Sequence, residues 1–235
     1  MNVPAADVDR YVVLDGSGAI EAGRSLTVQH ADGPALASAR LHPRIGLAQP
    51  RYWYHVGLVV HSAATLDMLR PQRTLLLGND LTGAAELCDI TWSDVAALQA
   101  LIAAAQQRVS ADATGHSARL IVELPGMRDA TGTLPFWHGL GRHFYSGDLE
   151  QTASRAGPGW RSHLATLLPR HLIYASFLPD AANAAIGAHA ADAQALRDAL
   201  EAQGMQWRQH IGIVDGGAVM EWTAGALPPT RAHKK

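Results

Sequence analysis

Glu86-Leu87-Cys88-Asp89-Ile90-Thr91 runs through Trp92-Ser93-Asp94 into residues 95–109, and Leu120-Ile121-Val122 follows. The first segment reads as a strand. Residues 95–109 place apolar side chains at helical spacing, with alanine throughout, and Ser93 stands where an N-cap belongs. Gly115 should end that helix, and 120–122 is a short apolar strand of the buried kind. A strand, a helix and a strand in this order, after a run of earlier strands, suggest a mixed sheet with helices packed on its faces.

Working outward, Tyr11-Val12-Val13-Leu14 reads as a strand closed by the tight turn Asp15-Gly16-Ser17-Gly18, with Leu26-Thr27-Val28 returning. Residues 30–50 show weak periodicity and suggest irregular structure around a short strand. Residues 52–61 read as a strand, and Thr74-Leu75-Leu76-Leu77 as a shorter one. Pro135 at a first helical position starts a helix expected to reach about Tyr145, with Phe136, Trp137, Leu140 and Phe144 at core spacing. Further helices are expected over 162–167, 181–186 and 192–203, the last closed by Gly204. Two strands, 207–214 and 218–222, flank the hairpin signal Asp215-Gly216-Gly217.

Composition narrows the function classes. Nineteen Lys and Arg against 21 Asp and Glu give a net charge of −2, and no basic excess points to nucleic acid or an anionic membrane surface. With 235 residues, 48% of them hydrophobic, the chain can bury a sizeable core, yet no apolar run approaches the roughly 18 residues needed to span a bilayer. The first ten residues carry Asp7 and Asp9 and no apolar stretch, unlike a signal peptide. A single cysteine, Cys88, suits a reducing cytoplasm.

Several motifs occur in an order that resembles the arginine N-succinyltransferase family: Tyr52-Trp53-Tyr54-His55-Val56-Gly57, Val60-His61, Asn79-Asp80 with Thr82-Gly83, Glu86-Leu87-Cys88, the Pro135 helix, Leu168-Pro169-Arg170-His171-Leu172-Ile173-Tyr174, Ile186-Gly187, and Asp215 with its two glycines. The resemblance runs from about Tyr11 to Glu221. It implies an α+β fold of the GNAT type, a mixed and mostly antiparallel twisted sheet with helices on both faces. That fold would form one acyltransferase domain over residues 1–224, with two lobes meeting near 130 as the alternative, and a disordered tail over 225–235. It further implies transfer of succinyl from succinyl-CoA, as co-substrate rather than bound cofactor, to the α-amine of arginine in arginine catabolism. An oligomer with itself or a homologous subunit is expected.

Carried onto this sequence, the family pattern departs at three points. No glycine or basic residue separates Cys88 from the helix, where the family has a basic loop for CoA, and Ile90 takes the place of a CoA-binding leucine. The catalytic histidine position falls on Ala190, with His189 one place before it. The family's N-terminal helical segment and C-terminal extension have no counterpart. These departures keep a non-catalytic companion subunit or regulatory paralogue as the alternative. The candidate residues are His189 as proton relay, Asn79, Asp80, Thr82 and Glu86 for the substrate, and Ile90, Arg142 and Arg170 for CoA. Each has a plainer reading. A histidine among 12 can be a surface residue, Asn-Asp can form a turn, and Glu86 and Glu123 read first as solvated edge positions. Arg142 and Arg170 can be cations at helix ends, and Cys88 reads as buried and structural. His138 and His143, five apart, have the wrong spacing for a shared metal on one helical face.

Overall fold

A computed structural model describes residues 11–16, 23–31, 33–112 and 118–225. Ten strands form one continuous sheet: β1 (Val12–Gly16), β2 (Arg24–Gln29), β3 (Ala35–His42), β4 (Trp53–Ala63), β5 (Met68–Gly78), β6 (Ala85–Trp92), β7 (Arg119–Glu123), β8 (Ile173–Tyr174), β9 (Gln206–Ile211) and β10 (Ala218–Thr223). Their order across it is β1-β2-β3-β6-β7-β10-β9-β4-β5-β8. Every pairing is antiparallel except that of β6 with β7, the strands joined by the long helix α1 (Val95–Ala111). A parallel pair needs such a crossover because its connection must return the whole length of the strand. The mixed, mostly antiparallel α+β architecture read from the sequence is the one found.

Alternation along the strands divides the chemistry between two faces. Leu26 and Val28 of β2, Ala37, Ala39 and Leu41 of β3, Leu120 and Val122 of β7, and Ala218 and Met220 of β10 share a core with α1 and with α6 (Gln194–Ala202). Leu98, Leu101, Ile102 and Ala105 form the buried stripe of α1, at the spacing expected of a helix lying on a sheet. The intervening residues Ile121 and Val219 join Trp53, Ile45, Leu81 and Ala84 on the other side. A further core under β4, β5 and β9 collects Tyr54, Leu75, Phe136, Trp137, Leu164 and Ile211.

Several boundaries differ from expectation for local reasons. Asp94, not Ser93, caps α1: its carboxylate accepts from the Ala97 N–H at 2.7 Å, while the Ser93 hydroxyl donates to the Leu36 carbonyl. The Pro135 helix α2 stops at Gly139 (Pro135–Gly139), a 3-10 turn follows over Gly141–His143, and Phe144 is exposed rather than core. Strand β5 is far longer than its apolar run, because β4 pairs with it from Trp53–Gly78 out to Ala63–Met68. Helix α3 (Leu149–Ala156), capped by Asp148, precedes α4 (Trp160–Leu167) and was not read in the sequence. Helix α5 spans Asp180–Ala184. Gly204 takes the left-handed conformation just past α6, as a helix stop requires. The turn at Ser17-Gly18, the break at Gly115 and the tail beyond 225 fall outside the described residues. No described helix is long and apolar enough to cross a membrane.

Candidate active site

The face opposite α1 carries a partly buried ionic cluster. Glu86 lies opposite Ile121 in the parallel register, and Glu123 stands two residues further along β7, so both carboxylates rise on the same side. Arg51, in the loop before β4, reaches both. One of its nitrogens donates to Glu86, and the other donates to Glu123 Oε1 at 2.8 Å. The guanidinium lies over the Trp53 ring, 5.3 Å from its centroid, and the indole N–H donates to Glu123 Oε1 at 2.6 Å. Arg161 of α4 completes the cluster, 3.4 Å from Glu123 Oε2. Burial alone would raise the Glu123 carboxyl, but Arg51, Arg161 and the Trp53 hydrogen bond outweigh it and hold it below the usual carboxylate range. Burial opposes the Arg51 charge too, and the two carboxylates overcome it, so the guanidinium stays charged.

The pairing of the two parallel strands is short. It covers only Ala85–Leu120 and Glu86–Ile121. Beyond it, Asp89 and Ile90 of β6 oppose the single residue Ala39 of β3, and Asp89 adopts a left-handed φ of 52°. That is a β-bulge, which turns the strand and unpairs one residue's backbone groups. Ile90 turns toward the α1 core. Cys88 lies between, its thiol pushed up to about 12 by burial and by the Glu86 and Asp89 carboxylates. At the start of α1, the place where a helix favours an anion, the cap is Asp94, whose carboxylate also accepts from the Tyr11 hydroxyl at 3.1 Å.

The far end of β7 is clasped to two loops. Asp215 accepts from the Gly126 N–H at 2.8 Å and from the Gly217 N–H at 3.0 Å. Gly126 is required by this approach, since a Cβ there would stand 2.4 Å from the Asp215 carbonyl oxygen. The loop holding His189 is tied by Gly187 N–H to the Gly216 carbonyl and by Ala190 N–H to the Pro125 carbonyl, each 2.8 Å. His189 therefore sits in a loop beside the exit of β7. Its Nδ1 lies 2.9 Å from the Ala190 carbonyl, a contact that needs the proton on Nδ1 and leaves Nε2 to accept.

A second polar array lies on the same face. His210 Nδ1 meets the buried Glu221 Oε1 at 2.7 Å, and its Nε2 is 3.5 Å from Asp80 Oδ2. The His55 ring meets it edge-on at 5.0 Å. Asp80 and Thr82 belong to the turn after β5 and line an open cleft of about 560 Å³, with Arg44 and Arg119, at the starting ends of β6 and β7.

The predicted residues are thus spread over several places. Asn79, Asp80 and Thr82 share the turn beside the cleft, Glu86 belongs to the ionic cluster, and His189 lies at the exit of β7. Ile90 sits on the bulge. Arg170 stacks its guanidinium on Tyr52, 4.4 Å from the ring centroid, while Arg142 is exposed after α2. Glu86 is buried and Glu123 half-buried, and both are paired, so neither is the solvated edge carboxylate that the sequence suggested first. Arg51, Arg161, His210 and Glu221 were not singled out as site residues, and Trp53 only as part of a motif. Among the described residues no group of three His, Cys, Asp or Glu could hold a metal ion.

Residues 26–227 match the family described as arginine N-succinyltransferase beta subunit. The arginine N-succinyltransferases of Salmonella arizonae and Salmonella paratyphi B are each 34% identical over 181 residues, covering 75% of this chain and 53% of theirs. The chain spans about half the length of these relatives. The structure of arginine/ornithine succinyltransferase subunit AI from Pseudomonas aeruginosa superposes with a TM-score of 0.65 at 24% identity, over 88% of this chain and 61% of that one. The chain belongs to the arginine N-succinyltransferase family.

Proposed function

We propose that the chain transfers the succinyl group of succinyl-CoA to the α-amine of arginine. The observation that carries this reading is that the β6–β7 pairing ends at Glu86–Ile121, short of the Asp89 bulge, in a chain of this family. A thioester laid along β6 beyond its last pair with β7 would meet backbone N–H groups that β7 does not engage, which is what a developing oxyanion needs. The neutral amine attacks the thioester carbonyl, a C–N bond forms and the C–S bond breaks. The amine's proton passes through His189 to the departing CoA thiolate. Its Nδ1 contact with the Ala190 carbonyl supports that role, since it leaves Nε2 to take the proton. Asn79, Asp80 and Thr82 offer oxygens to a cationic acceptor, and Glu86 joins them once Arg51 withdraws. Arg170 and Arg142 supply cations for the CoA phosphates, with Ile90 lining the strand that carries the thioester. We place the protein in the cytoplasm, as a homo-oligomer or with a homologous subunit.

A second reading, a non-catalytic companion subunit, is favoured by one observation: Asp94 fills the N-terminus of α1 with the chain's own carboxylate. Calorimetric titration with succinyl-CoA, with and without arginine, separates the two. Micromolar binding supports transfer, and the absence of heat with the isolated chain supports the companion.

A further inference from the structure

The guanidinium between Glu86 and Glu123 belongs to the chain itself. Two carboxylates from adjacent strands meet the two ends of its fork, and the Trp53 indole forms a wall against its face. This is the chemistry by which any alkylguanidinium is recognised, charge-assisted bonds in its plane and an aromatic surface across it. The carboxylate does not depend on Arg51 for its orientation, because Trp53 Nε1 holds Glu123 Oε1 at 2.6 Å. Arg51 comes from the loop before β4 and not from a strand, so its side chain can leave while the sheet stays intact. Beside it, Tyr52, Glu123, Arg161 and Asp215 surround a recess of about 20 Å³, room for little more than one water molecule. An external guanidinium has no room there while Arg51 is seated.

We propose that Glu86, Glu123 and Trp53 form a seat for an alkylguanidinium group which Arg51 fills in cis, so that Arg51 decides whether an external guanidinium enters. The inference rests on the acyl-transfer reading only in naming arginine as the external competitor. Arg51→Ala opens the seat, leaves Glu86 without its guanidinium partner and leaves Glu123 with the half-exposed Arg161. The probe is methylguanidinium chloride, with methylammonium chloride at equal ionic strength as control, read by calorimetry and thermal midpoint on the full chain. Arg51→Ala is expected to bind methylguanidinium saturably and at least about tenfold tighter than the unaltered protein, with methylammonium weaker because it lacks the fork. Adding Glu123→Gln to that variant should remove the gain. Equal response to both cations, or equal binding by the variant and the unaltered protein, overturns the proposal. Arginine-detected nitrogen NMR of the unaltered protein decides the matter even where Arg51→Ala does not fold. One guanidinium with slowed Nη rotation, lost in Glu123→Gln, is expected, and uniformly solvent-like arginines overturn the proposal. None of these readouts uses succinyl-CoA. A seat without turnover therefore counts against acyl transfer alone, and turnover without a seat counts against this inference alone.

Discussion

Replacing Glu123 with Gln keeps the side chain's volume and removes its charge from the centre of the ionic cluster. The oxygen that accepts from Trp53 and Arg51 can remain, but Arg51 loses one of two counterions and Arg161 loses its partner. A charge-assisted hydrogen bond contributes about 1.5–3 kcal/mol, and breaking a fully buried pair costs about 3–5. Arg51 keeps Glu86, and the side chains of Arg51 and Glu123 are 23% and 22% exposed, so the lower figure applies and the expected loss is about 2 kcal/mol. For a chain of this size that lowers the thermal midpoint by roughly 4–8 °C. The pH dependence gives the effect its signature. The folded Glu123 carboxyl lies below its unfolded value of about 4.3, so its stabilisation is fully present above that value and is lost as pH falls through the folded pKa. Urea unfolding followed by tryptophan fluorescence should therefore show a constant gap between the two proteins from about pH 5.5 to 8, closing in strong acid. A gap under about 0.5 kcal/mol at neutral pH, or one that persists unchanged in acid, would refute the ionic account of this cluster.

Three further outcomes follow from the same structure. His189→Ala should lower turnover by about 10²–10⁴ while leaving the unfolding midpoint within a degree or two; unchanged turnover would remove it from the proton path. The Cys88 thiol, pushed up to about 12, should resist iodoacetamide at pH 8 in the folded protein and react on unfolding, as a mass shift would record. Leu101→Ala, in the core beneath α1, should cost about 2–5 kcal/mol in urea unfolding, far more than any exposed leucine of the β4–β5 hairpin such as Leu69.

Much of the sheet was legible because alternation and helical spacing act over a few residues. The crossover from β6 through α1 to β7 and the β9–β10 hairpin could be read from neighbours alone. Strand β5 could not: Arg70, Pro71 and Arg73 look like strand breakers, and only the long partner β4 holds them extended. Its outer side meets β8 only at Thr74 and Leu75, so within the described sheet Pro71 lies beyond that short pairing, where a missing N–H costs little. Helix α2 ends before Leu140, whose φ of −129° leaves the helical region, and the next residue must be glycine because a Cβ on Gly141 would overlap the Trp137 ring. The ionic cluster was half visible. Glu86 and Glu123 interrupt apolar strands, a signal that each needs a partner, but the partner lies 35 and 72 residues away in a loop. Nothing local marks Arg51 for that place, and sequence distance likewise hid the approach of His210 to Asp80.

The central claim is the transfer itself. Purified protein should be incubated with succinyl-CoA and arginine, and the mixture followed at once for free CoA thiol and, by mass spectrometry, for N-succinylarginine. The account predicts that both appear together, in equal amounts, and only when arginine is present. Thiol release that does not depend on arginine, or no product from a folded protein that binds succinyl-CoA, would contradict it.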